Sequence, residues 1–294
     1  MEDQRTPRSG GSPRNRRSAL LAVALLSVAC ARERGLEEPA TAPVRAGTLV
    51  AQVDFAGEAE GARVVSDATA GPAKHADEPL PEVTFREAMP EALDANAPAR
   101  RYADLSASRC RAEVAKRDLP VAPVKSSQRG VVAALRITGP MNGVNIVTPP
   151  SSTKFGVLDC RLALVIDDLT KTLEAAGVVR VSIDNLYRPG AKLPGKKKSS
   201  QHALGLAVDV NTFELGDGRV LATSAWGATI GETPCGPDAV MASPNADAVD
   251  LRNLVCAIGR AGLFHTVLTP SYDAAHQSHF HFDIKSDTSR VSVR

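Results

Sequence analysis

The chain has 294 residues, with 35 basic and 33 acidic side chains and a net charge of +2. That length suffices for a buried core in one large domain or two small ones. The balanced charge offers no global attraction for nucleic acid, so no such partner is expected and any binding chemistry must be local.

The first thirty residues carry Arg5, Arg8, Arg14, Arg16 and Arg17, no acid after Asp3, and then an apolar run over 19–29. A charged region before an apolar stretch too short to span a bilayer comfortably reads as an export signal over residues 1–30. The run ends Leu26-Ser27-Val28-Ala29-Cys30. Small residues before a cysteine resemble a bacterial lipobox, with Ser27 standing where that motif usually has leucine. Plain cleavage after a small residue, or a weak twin-arginine signal on Arg16-Arg17, are the alternatives. The expected location is the bacterial envelope, either periplasmic or held at a membrane through a lipidated Cys30. Export puts Cys110, Cys160, Cys235 and Cys256 in an oxidising compartment, where thiols pair. Four cysteines allow three connectivities, and proximity in sequence favours Cys110 with Cys160 and Cys235 with Cys256. No CxxC spacing is present, which argues against a cysteine-ligated structural zinc.

Residues 31–101 are rich in Ala, Glu, Pro and Gly, nearly free of aromatics, and lack a sustained apolar period. Such a segment buries too little apolar surface to offset its ordering entropy and reads as a disordered tether, with at most a transient strand at 48–53. A domain is expected over 102–294. A helix over 105–119 carries Cys110, and strands over 131–137 and 144–147 flank Gly139-Pro140-Met141-Asn142-Gly143. Leu158, Leu162, Val165, Ile166, Leu169 and Leu173 then recur at helical spacing, with Gly177 as the stop signal. A strand over 179–186 leads to a loop over 189–200 that holds Lys196-Lys197-Lys198, read as a solvated charge run. Next come a strand over 206–211, a turn at Gly216-Asp217-Gly218, a helix over 246–262, and strands over 266–268 and 279–284. The long segment 226–245 is a candidate cover for a site. Without a regular βαβ alternation, the expected class is α+β, a small and mainly antiparallel sheet flanked by helices.

Two stretches carry chemistry. In Ser200-Gln201-His202-Ala203-Leu204-Gly205-Leu206-Ala207-Val208-Asp209, one histidine and one aspartate sit in an otherwise small and apolar run; in His276-Gln277-Ser278-His279-Phe280-His281-Phe282-Asp283, three of the chain's six histidines fall within six positions. Alternate side chains of a strand share a face. His279, His281 and Asp283 would then point one way and Phe280, Phe282 and Ile284 into the core, while Asp209 lies opposite Val208 and Val210. Gly205 would let the backbone turn so that His202 and Asp209 approach one point. Two imidazoles and a carboxylate around Zn²⁺ leave a position for water, the arrangement of a catalytic site. His265 and His75 are not expected to be ligands. Ser199 and Ser200 lack a nucleophile-elbow pattern, which argues against serine hydrolysis.

SxHxxGxAxD with a distant HxH resembles the zinc-peptidase superfamily that unites lysostaphin-type enzymes, D-Ala-D-Ala carboxypeptidases and the hedgehog signalling domain. The helix at Cys160-Arg161-Leu162-Ala163, Tyr187-Arg188, the run from Ser200 to Asp209, and Leu268-Thr269-Pro270-Ser271-Tyr272 ahead of the histidine cluster look like the bacterial extensin-like C-terminal domain family. The resemblance implies a hedgehog/D-Ala-D-Ala-peptidase-like zinc domain with His202, Asp209 and His281 as metal ligands. It implies His279 as general base or transition-state stabiliser, His276 as its assistant, and Arg188 as the contact for a substrate carboxylate or developing oxyanion. Ser278 stands where the carboxypeptidase branch has a glutamate base. Asp283 would orient a ligand imidazole. The implied activity is zinc-dependent hydrolysis of a peptide bond in peptidoglycan or other cell-wall peptides. The alternatives are a non-catalytic zinc-containing module that binds cell-wall material, and a disulfide-stapled domain without metal.

Overall fold

A buried helix organises the domain, and its sequence explains why. The computed structural model describes residues 80–227, 229–242 and 244–294. These belong to the compact unit Asp67–Arg294. The export signal with Cys30, residues 31–79 of the expected tether, the strand at 48–53 and His75 lie outside the described residues. In chain order the elements are β1 (Val83–Thr84), α1 (Pro98–Ala103), α2 (Ala107–Lys116), β2 (Val121–Pro123), β3 (Ala134–Ile137), β4 (Asn145–Val147), β5 (Leu158–Asp159), α3 (Cys160–Ala175), β6 (Val178–Asn185), β7 (Ala207–Leu215), β8 (Val220–Ala222), β9 (Val240–Met241), α4 (Ala246–Arg260), β10 (Thr266–Leu268), β11 (Phe280–Asp283) and β12 (Ser292–Val293).

Helix α3 buries Leu162, Val165, Ile166, Leu169 and Leu173, the positions whose spacing predicts it. Leu158 belongs instead to β5, because Asp159 caps the helix by accepting from the Arg161 N–H. Gly177 follows the helix with φ +77°, in the left-handed region that ends helices. Full burial of each leucine or isoleucine is worth about 1.5–3 kcal/mol, so this face anchors α3 against α1, α2 and β6. The expected helix over 105–119 is shorter, Ala107–Lys116, because the Ser106 hydroxyl caps it.

The main sheet has seven strands in the order β12-β10-β11-β7-β6-β4, with β8 also paired to β7. β4 runs parallel to β6 and β12 parallel to β10, while β6-β7-β11-β10 are antiparallel neighbours. A three-stranded antiparallel sheet β2-β3-β5 and the pair β1-β9 complete a mixed α/β architecture. β3 and β4, though close in sequence, therefore belong to different sheets.

Residues 83–103 correct the expected domain boundary at 102. Phe85, Leu93, Ala99, Tyr102 and Ala103 are buried, and β1 pairs with β9. These apolar residues are isolated rather than periodic, which is why the segment looks like tether in sequence while contributing to the core. The disulfides are Cys110–Cys160, joining α2 to α3, and Cys235–Cys256, tying the segment after Trp226 to α4.

Candidate metal centre

The turn before β7 sets the first donor. Ser200 Oγ accepts from the His202 N–H at 3.3 Å, capping a 3₁₀ turn Gln201–Leu204. Gly205 closes the turn with φ +65°, and a Cβ there would lie 2.9 Å from the Asp159 nitrogen, so glycine is required both by conformation and by space. His202 Nδ1 lies 3.1 Å from the Leu186 carbonyl oxygen, and the Arg188 N–H donates to the His202 carbonyl at 3.0 Å. A proton on Nδ1, directed at the Leu186 carbonyl, would leave the Nε2 lone pair for a metal, whereas a proton on Nε2 is donated to Asp209.

β7 and β11 supply the rest. Their antiparallel register places Asp209 opposite His281, flanked by the apolar pairs Phe280–Val210 and Phe282–Val208. His202 Nε2 and His281 Nδ1 are each 3.0 Å from Asp209 Oδ1 and 3.1 Å from one another. All three residues are buried. Tetrahedral coordination with bonds of about 2.0 Å separates ligand atoms by about 3.3 Å, so this triangle fits a small divalent ion with slight widening. Two imidazoles with one carboxylate suit zinc or a similar transition metal better than magnesium or calcium, which prefer oxygen. His202, Asp209 and His281 form the one group of three potential metal ligands found among the described residues.

Electrostatics follow from this packing. Burial would raise the Asp209 pKa, but hydrogen bonds from His202 and His281 hold it well below the usual carboxylate range. Burial would lower that of His281, but hydrogen bonds to Asp209 and Asp283 outweigh it and push it up to about 9. His281 Nε2 donates to Asp283 Oδ2 at 3.1 Å, and the Lys285 ammonium lies 3.4 Å from the other Asp283 oxygen. Burial lowers the pKa of His202, with Asp209 opposing it.

The remaining expected residues form the rim. His279 lies just before β11, half-buried, with Nε2 3.6 Å from Asp209 Oδ1; burial lowers its pKa, leaving a neutral imidazole near pH 7. The His276 ring packs 5.2 Å from that of His279 and 5.9 Å from that of His281. Arg188 is exposed, and its charge helps to lower the pKa of His279 behind the larger effect of burial. Among the described residues its guanidinium has no ion-pair partner. The structure thus brings His202, Asp209 and His281 together and sets His279, His276 and Arg188 around them.

Two residues given no site role by the sequence touch the rim. Asp273 Oδ1 accepts from His276 Nδ1 at 2.6 Å and from the Ala275 and His276 N–H groups, which fixes the His276 ring with Nε2 free. Its signal was an aspartate capping a short turn three residues before a histidine. Tyr272 packs edge-on against His276 at 5.3 Å. His265 is occupied elsewhere, with Nε2 on the Thr288 carbonyl and Nδ1 accepting from the Lys285 N–H. The segment over 226–245 is pinned by Cys235–Cys256, by β9, and by the Gly231 N–H on the Ser271 carbonyl at 2.7 Å.

No curated protein and no solved structure matches the chain. Residues 108–293, which contain every donor described above, match the family model for the extensin-like protein C-terminus, and the chain belongs to that family.

Proposed function

We propose that this protein is a zinc-dependent hydrolase of a peptide bond in cell-wall peptides, acting as a hedgehog/D-Ala-D-Ala-peptidase-like member of the zinc-peptidase superfamily. The observation that carries the reading is the triangle of His202 Nε2, Asp209 Oδ1 and His281 Nδ1, with edges of 3.0–3.1 Å, beside three further polar groups not needed to build it. Zinc bound there would supply a Lewis acid and a water made acidic enough to attack at neutral pH.

The chain's own residues divide the remaining work. His202 and His281 are oriented by the Leu186 carbonyl and Asp283, so neither ring turns away. His279, neutral and beside Asp209, accepts a proton from the attacking water and returns it to the leaving amine. His276, braced by Asp273, buttresses that ring. Arg188, exposed at the rim, holds a substrate carboxylate or the developing negative charge. The substrate class rests on the resemblance to cell-wall peptidases.

Export is part of the same proposal, including membrane attachment through Cys30 as one route. Two disulfides support an oxidising compartment. Among the described residues no helix is long and apolar enough to cross a membrane.

The test is elemental analysis of the full chain, for wild type, His202→Ala and His281→Ala, followed by digestion of muropeptides with wild type and His279→Ala. About one zinc per chain, lost in both ligand variants, with hydrolysis lost in His279→Ala, is the expected result. Zinc retained without hydrolysis would leave a wall-binding module, and metal indifferent to both ligand changes would overturn the metal reading.

A further inference from the structure

Arg252 lies on α4 and is 1 % exposed, yet its Nε and Nη1 have no hydrogen-bond partner among the described residues. Its guanidinium carbon sits 4.6 Å over the Trp226 ring and 5.6 Å over that of Phe85. Those π faces offset part of the cost of burying the charge, but they replace neither an anion nor the hydrogen bonds that five N–H groups seek. A buried cation without a counter-ion is among the more expensive features a fold can keep.

Arg252 also lines a cavity of about 360 Å³, toward the lower end of small-molecule sites. Asn245, which caps the 15-residue α4 by accepting from the Ala248 N–H at 2.8 Å, and Ala248 line it too, placing the cavity beside the positive end of the helix. Glu232 forms another part of the wall. One of its oxygens accepts from the Thr229 N–H at 2.9 Å, which leaves the other available. An anion alone would be repelled by Glu232, and a cation alone by Arg252. A molecule carrying both charges a few bonds apart satisfies both walls.

We infer that this cavity is a binding site for a small zwitterion of the α-amino-acid class, its carboxylate on Arg252 and its ammonium on Glu232. None of these residues is a metal donor, so the site stands independently of the proposed hydrolase activity. It touches that region through Trp226, whose ring packs 5.2 Å from that of Phe280 and whose Nε1–H donates to Ser271 Oγ at 2.8 Å, and through the Gly231 N–H on the Ser271 carbonyl.

Trp226 is also the chain's one tryptophan, which makes its fluorescence a site-specific reporter. The full chain is titrated with alanine, acetate and ethylamine through the millimolar range. The expected result is a saturable response to alanine, a weaker one to acetate and none to ethylamine. Arg252→Gln abolishes the response. Glu232→Gln weakens alanine binding about tenfold, the worth of one charge-assisted hydrogen bond, without weakening acetate binding. Because Arg252→Gln removes a core side chain, Glu232→Gln, at an exposed position, carries the test if that variant fails to fold. The inference is overturned by a wild type that gives no saturable response to alanine, or by unchanged alanine affinity in Glu232→Gln. Strong stability coupling between the two residues without ligand would also overturn it, by making Glu232 itself the partner of Arg252.

Discussion

In the metal-free protein, His281 is held between two carboxylates, and a metal can take its Nδ1 only by displacing a proton. With the His281 pKa at about 9, zinc affinity is expected to rise about tenfold for each pH unit between 6.5 and 9, and proton competition at pH 7 costs about a hundredfold, or roughly 3 kcal/mol. Stability of the metal-free form follows the opposite sign. A histidine whose folded pKa is raised contributes stability that is fully present below its unfolded value of about 6.5 and is lost as the pH rises through 9, here about 3 kcal/mol in total. Asp283→Asn removes one of the two carboxylates. It should weaken zinc binding about 10- to 100-fold at pH 8.5 through lost orientation of the imidazole, with a smaller deficit at pH 6.5, where the variant competes with a less tightly held proton. Competitive titration against a chelator of known protonation measures the affinities, and urea unfolding of chelator-treated protein measures the stability. A zinc affinity flat between pH 6.5 and 9 would refute the reasoning, because it would mean that His281 carries no proton for the metal to displace.

Gly205→Ala should destabilise the protein by about 2–4 kcal/mol and lower its metal content, since the new Cβ combines a left-handed backbone with a 2.9 Å approach to the Asp159 nitrogen; denaturant unfolding and elemental analysis read the two effects. Replacing both cysteines of each bridge by alanine should cost about 4 kcal/mol for Cys110–Cys160, which closes a separation of 50 residues, and about 3 kcal/mol for Cys235–Cys256, which closes 21. The order of the two unfolding midpoints checks this. In ¹⁵N spectra of the imidazoles, the neutral form of His276 should be the Nδ1–H tautomer, set by Asp273. Asp273→Asn should shift that tautomer balance while leaving the metal content unchanged.

The meeting of His202, Asp209 and His281 was legible in the sequence because strand alternation and an apolar background together expose a misplaced polar atom. His202 and Asp209 interrupt a small apolar run, and His281 interrupts a pair of phenylalanines that are both fully buried. α3 and β10 were legible for a related reason, since their periods are carried by their own residues. Pairings between distant segments were not legible. β1 consists of two residues and exists through β9, some 157 positions away, and Phe85 and Leu93 give no local period that reveals their burial. Arg252 was hidden by type, because an arginine in an amphipathic helix ordinarily faces water. Asp273 was hidden by its ordinary reading as a turn residue, and its second role appears only once the His276 ring is placed.

The site also explains why the β7–β11 register is well defined. His202 and Asp209 are seven residues apart and meet through the Gly205 turn, whereas His281 comes from 72 residues beyond Asp209. A slip of one residue would turn His281 into the core and bring Phe280 or Phe282 to the donor face, exchanging buried aromatic surface for a buried imidazole without its carboxylates. The contacts that seat Phe280 against Val210 and Phe282 against Val208 therefore select the register in which Asp209 faces His281. Neither disulfide touches these two strands; one ties α2 to α3 and the other ties the segment after Trp226 to α4. The donor triangle is thus held by side-chain alternation and by the hydrogen bonds that Leu186 and Asp283 accept, and its geometry is a consequence of how the core packs.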